Sequence, residues 1–126
     1  MIEKISFESI QSPLNLQEIK RIDQLNLSII ERHHLRLLAH CLMTFLQIKI
    51  DKNITKNSFP SYEEQLAWCL ENPQLQKDPE FIDLLLEQFA AASTLLASIA
   101  DSLKIQPMDL TLDHLINNAI NNAPRN

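Results

Sequence analysis

Glycine occurs nowhere in the 126 residues. It is the residue that enters left-handed backbone conformations most cheaply and lets the chain approach a phosphate closely. Two-residue hairpins, P-loops, dinucleotide-binding turns and kinase-type loops therefore have no sequence to form from. Cysteine is nearly missing: Cys41 and Cys69 stand inside helical patterns, make neither a disulfide framework nor a paired metal knuckle, and read as reduced thiols of a cytoplasmic protein. The opening Met1-Ile2-Glu3-Lys4 lacks the basic start and apolar stretch of a signal peptide. No apolar run reaches the roughly eighteen residues of a bilayer span, because His40 and Gln47, or Glu87 and Gln88, interrupt the longest ones. Positive charge is also short. Eleven Lys and Arg face sixteen Asp and Glu, a formal charge of −5, which disfavours nucleic acid and anionic membrane as partners.

What is present is helical punctuation. Residues 1–13 read as an N-terminal arm, since Ile5 and Phe7 alternate with polar neighbours but have no second strand to pair with. Asn15 with Glu18 is a cap, Leu14 can staple to Ile19, and a short helix over 16–24 follows. Ser28 with Glu31 repeats the capping box and opens a long helix to about residue 50. The polar stretch 51–60 is a loop. Ser61 with Glu64 opens a helix over 62–71, stopped by Asn72-Pro73. Asp78-Pro79, a cap followed by proline at the first helical position, starts the second long helix, which runs to about 104 before Pro107. Thr111 or Asp109 caps a last helix, and 122–126 should fray. The expectation is one all-α domain over 1–126, a compact bundle of about five helices with two long central ones, 28–50 and 79–104.

Both long helices are apolar around most of their circumference. Ile82, Leu85, Phe89, Ala92, Leu96, Ile99 and Leu103 form a seam at 3,4 spacing, widened by Phe81, Leu84, Leu86 and Leu95. Only Asp83, Glu87, Thr94, Ser98 and Asp101 are left as a wet stripe. In the first long helix His33, Arg36, His40, Thr44 and Gln47 are left for water. Three short segments cannot cover both remaining flanks, so a homodimer is expected to bury the surplus.

No chemical motif stands out. His33 and His40 share one face of their helix and His34 and Cys41 the other, so the four cannot meet at one metal ion without Cys69 or His114. No metal or cofactor is expected. Cys41 beside His34 reads as a buried, inert thiol rather than a nucleophile, and Asp101, Asp109 and Asp113 as wet-face and helix-start charges. His34 is expected on the apolar flank beside Leu38 and Phe45. Lys20, Arg21, Arg32, His33, His34 and Arg36 form the single basic concentration. On its helix Trp68 points away from an apolar face of Tyr62, Leu66, Cys69 and Leu70, and lies among Glu64, Glu71 and Asn72. It is either a partner-binding anchor or covered by the 51–60 loop or the arm. The partner-binding candidates are Trp68, Glu64, Glu71, Arg32, His33, Arg36 and His40.

The stretches Glu31-RHHLRLLAHC-Leu42 and Asp78-PEFIDLLLEQFAA-Ala92 resemble those of small helical proteins of cyanobacteria. That resemblance implies a cytoplasmic bacterial setting and an accessory or assembly role in photosynthetic cells, with no activity or site residues attached. The sequence as a whole reads as a non-enzymatic interaction or assembly protein, acting as a homodimer. One alternative is a small regulator contacting nucleic acid through 20–36. Another is a ligand or enzymatic pocket between the long helices, where His34 is the one polar side chain set into the seam.

Overall fold

A computed structural model describes residues 16–122. The order of elements is α1 (Leu16–Asp23), α2 (Ile29–Asp51), α3 (Tyr62–Glu71), α4 (Pro79–Leu103), a short 3-10 turn (Pro107–Asp109) and α5 (Leu112–Asn122), with no strand among the described residues. The fold is all-α. The arm, the Asn15 cap and the Leu14 staple lie outside the described residues, as does the tail beyond Asn122, which itself closes α5.

Local chemistry explains why each helix starts where it does. Ser28 Oγ accepts from the Glu31 N–H at 3.1 Å while Glu31 Oε1 accepts from the Ser28 N–H at 3.3 Å, and Ser61 with Glu64 repeats the exchange at 3.2 and 2.7 Å. Each box satisfies N–H groups that the first turn would otherwise leave without partners. Asp78 Oδ1 accepts from Phe81 N–H at 3.0 Å ahead of Pro79, and Thr111 Oγ1 accepts from His114 N–H at 3.4 Å to open α5.

The helix ends show how a chain without glycine turns corners. After α2, Asn53 adopts φ 53°, and after α4, Lys104 adopts φ 58°. Around each, two backbone bonds close a Schellman motif: Asn53 N–H to Ile50 O at 3.2 Å with Ile54 N–H to Lys49 O at 2.9 Å, and Lys104 N–H to Asp101 O with Ile105 N–H to Ala100 O, both at 3.1 Å. Ile54 and Ile105 then drop onto the core, the apolar contact that accompanies the motif. Asparagine tolerates the left-handed region; lysine holds it at a cost.

The buried residues form one cluster centred on α2, which packs against α1, α3, α4 and α5. Phe45 is fully enclosed, 5.3 Å from Phe89 of α4 in an edge-on contact and 5.2 Å from Phe59, which the 51–60 loop folds inward. Burial of Phe45 and of Phe89 contributes about 2–3 kcal/mol each. Because four helices surround it, α2 has no continuous wet stripe. His40 and Thr44, expected in water, are buried, and Thr44 Oγ1 donates to His40 O at 2.8 Å. His34, expected on the apolar flank, is exposed, as is His33.

The second long helix is less central than its sequence suggests. Six of the seven seam residues of α4 are buried, Leu103 being the exception, but its opposite side is uncovered and carries Leu84 at 58% and Leu95 at 43% exposure. Contrary to the reading of interrupted apolar runs, α4 is long and apolar enough to cross a bilayer by length and composition, with a mean hydropathy of 1.4. Its inward residues Ile82, Leu85, Phe89 and Leu96 belong to the core, and 33% of its most apolar stretch is buried. Helix α3 is rotated relative to expectation. Gln65 and Cys69 are buried and Leu66 and Trp68 half-buried, while Tyr62 and Leu70 face out. Gln65 can enter because its side-chain amide donates to Pro60 O at 2.9 Å, which satisfies the polar group on burial.

Candidate functional site

The partner-binding candidates fall into two separate groups. Trp68, Glu64 and Glu71 sit where α3 is fastened to the end of α2. The Trp68 indole N–H donates to Asp51 Oδ2 at 2.8 Å, and Gln47 holds the other Asp51 oxygen at 2.7 Å. Glu71 pairs with Lys52 at 2.7 Å and Glu64 with Lys56 at 3.0 Å. Donation from the Ser61 N–H, with help from Lys56, holds the Glu64 carboxyl below the usual carboxylate range. Lys49 ties the loop from inside, donating to Ser58 O at 2.7 Å and to Lys56 O. The Trp68 indole is half-buried on the core and satisfied by Asp51 at the end of α2, and the arm that could cover it lies outside the described residues. The acids beside it already have lysine partners.

The second group is the basic stretch. Arg21 pairs with Asp113 of α5, and Arg32 Nη1 donates to Asp23 O at 2.8 Å, locking α1 onto α2 and α5. Arg36 is half-buried. Burial first, and the Arg36 guanidinium one turn away second, push His40 down to about 4 from its ordinary 6.5, so it is neutral at physiological pH. Of the stretch, Lys20, Arg21, His33 and His34 are exposed, and Arg21 is engaged in its ion pair. That is a poor track for a phosphate backbone.

What the sequence did not single out is the surface on the far side of α4. A groove of about 510 Å³ opens between α2, α4 and α5, floored by Leu35, Leu38, Ile99 and Leu115, with His34 and Glu31 on its rim. Leu95, Ser98 and Ser102 form its α4 wall. At 100° per residue these three share a stripe with Leu84, Gln88 and Ala91, so the groove continues into an open, mostly uncharged strip along α4. Along the strip's other edge stand Glu80, Asp83, Glu87 and Asp101, all exposed and, among the described residues, without an ion pair or hydrogen bond to the carboxylate. Helix α4 contains no lysine or arginine. The signal is in the sequence, since Leu84 and Leu95 fall outside the seven-residue seam and belong to the surplus assigned there to a homodimer.

A second recess of about 490 Å³ lies at the end of α2 beside the loop, with Lys49, Lys56 and Met108 on its walls. Both lysines are held by the interactions that fasten the loop. Burial raises the Cys41 thiol to about 12 and the Cys69 thiol to about 11, so neither supplies a thiolate near neutrality. Among the described residues no three His, Cys, Asp or Glu side chains are grouped so as to hold a metal ion.

The arrangement is that of a small helical protein whose main accessible feature is a surface, an apolar groove and strip edged with carboxylates. Residues 14–126 match the family described as NDH complex assembly factor CRR9, and the chain belongs to that family. No curated protein and no solved structure shows significant similarity to it.

Proposed function

We propose that this chain acts without catalysis, as an accessory protein that binds another protein during assembly of an NDH complex. The observation that carries the proposal is the family match over residues 14–126. The geometry supports it: the thiols are buried and protonated, His40 is sequestered in the core, and the accessible apolar area lies on an open helix face rather than in a closed pocket. Two buried, free cysteines accord with the reducing cytoplasmic compartment that forms part of the proposal. The test is a strain lacking the gene, with the NDH complex followed on native gels. Loss of the mature complex with accumulation of partial assemblies, reversed by the wild-type chain, is the expected result. A complex that accumulates normally without the chain sinks the proposal.

Self-association is the second reading, favoured by large apolar side chains left exposed away from the Leu84–Leu95 stripe, Ile29 and Ile30 of α2 and Leu103 of α4 among them. Sedimentation velocity at micromolar concentration decides it, and a clean monomer removes it.

A further inference from the structure

We infer that the open strip of α4 and the groove beside it are the seat of a cationic amphipathic helix supplied by a partner protein. The inference deepens the assembly reading and rests on it. From Leu84 to Ser102 the strip runs roughly 27 Å, the length of five helical turns. At its Ser102 end it opens into the groove over Leu35, Leu38, Ile99 and Leu115, a concavity able to take large apolar anchors spaced i, i+3 or i+4, i+7 on a docked helix. Most of the polar lining of the groove, Ser98, Ser102, Asn118 and Asn122, is uncharged, with the Glu31 carboxylate on the rim.

Charge decides which helix fits. The edge of the strip away from the groove carries Glu80, Asp83, Glu87 and Asp101, none with a cation against its carboxylate among the described residues. A docked helix with lysine or arginine on the matching flank supplies the four missing partners; one with acids there is repelled. A second copy of this chain is a poor occupant. Two α4 helices meeting antiparallel across a two-fold axis would bring both acidic rows to the same edge, and residues 79–103 offer no lysine or arginine to offset them. An anionic bilayer meets the same row of carboxylates.

The probe is a labelled synthetic peptide of about eighteen residues with leucines at i, i+3, i+7 and i+10 and lysines along one flank, read by fluorescence anisotropy against the full chain. Saturable binding is expected that weakens with added salt, falls about tenfold for Leu95→Gln, and falls about fivefold or more for the pair Asp83→Lys and Glu87→Lys. The same charge change placed elsewhere, Glu63→Lys with Asp109→Lys, should leave most of the affinity, and the peptide with glutamates in place of the lysines should not bind. Equal binding of the two peptides, or no binding of either, overturns the inference. A dimer abolished by Leu95→Gln would give the face to a second copy. Flotation with phosphatidylcholine–phosphatidylglycerol vesicles, lost in Leu95→Gln, would give it to a membrane. Leu95 is exposed, so an unchanged helical circular dichroism spectrum shows that each variant is folded. In the deletion strain, rescue of the complex by the chain carrying Leu95→Gln and Glu87→Lys refutes the docking site alone, whereas a complex that never required the wild-type chain refutes the assembly reading.

Discussion

Acidification from pH 7 to pH 5 should destabilise this protein through one histidine. His40 is 5% exposed, and its pKa is pushed down to about 4 by burial and by Arg36. In the unfolded chain it returns to about 6.5. The folded state therefore favours neutral His40, and the unfolded state binds the extra proton between the two values. Stability is at its full value above pH 6.5, declines as the pH falls, and levels off once the folded state also protonates near pH 4. Integrating the difference gives a loss of about 2 kcal/mol between pH 7 and pH 5, a window in which most carboxylates remain ionised. Urea unfolding followed at 222 nm should show the midpoint dropping by about 1 M over this range. His40→Leu removes the titrating group and should flatten the response, with His40→Gln as a check that retains polarity. An unchanged midpoint in the wild type, or a drop of the same size in both variants, would refute the assignment of His40 as the buried proton acceptor.

Three further outcomes follow from named contacts. Lys104→Gly should stabilise the chain by about 0.5–1 kcal/mol in denaturant titrations, because relief of the left-handed backbone at φ 58° outweighs the added freedom of the unfolded chain. Destabilisation would mean that the lysine side chain contributes more than its backbone costs. Trp68→Phe should cost about 1 kcal/mol through loss of the 2.8 Å bond to Asp51, and Trp68 emission in the wild type should be blue-shifted and protected from iodide; full accessibility would contradict the fastening of α3 to α2. Phe45→Ala should cost about 3–5 kcal/mol and Phe59→Ala clearly less, since Phe59 is only half-buried; equal costs would contradict the centring of the core on α2.

Element boundaries were legible because they depend on neighbours in sequence. A capping box needs only a serine and a glutamate three residues apart, so Ser28–Glu31 and Ser61–Glu64 announce their helices before any tertiary contact forms. The faces were less legible because they depend on what arrives from far along the chain. Periodicity places His34 near Leu38, yet α1, α3, α4 and α5 approach so as to enclose His40 and Thr44 and leave His34 at a groove edge. Helix α3 misled for a similar reason. Its apolar pattern points Leu70 inward, but the bonds available to Gln65 from Pro60 and to Trp68 from Asp51 favour a rotation that no hydrophobicity scale contains.

The same limit explains why the surplus apolar area of α4 could be counted but not located. Seven seam residues and four flanking ones were all treated as demand for burial, which led to a homodimer as the means of meeting it. In the fold the middle of α2 is surrounded, with its exposed Ile29, Ile30 and Ile50 near its ends, and the uncovered strip along α4 lies beside a row of carboxylates with no cation against them among the described residues. Burial demand alone is satisfied by any apolar surface, a second copy included. Burial demand edged by unbalanced charge of one sign is selective, because the wrong partner must desolvate like charges against each other. That combination favours a partner of opposite charge over self-association, and it makes salt the sharpest single variable: docking on α4 should weaken as ionic strength rises, whereas an apolar homodimer should persist.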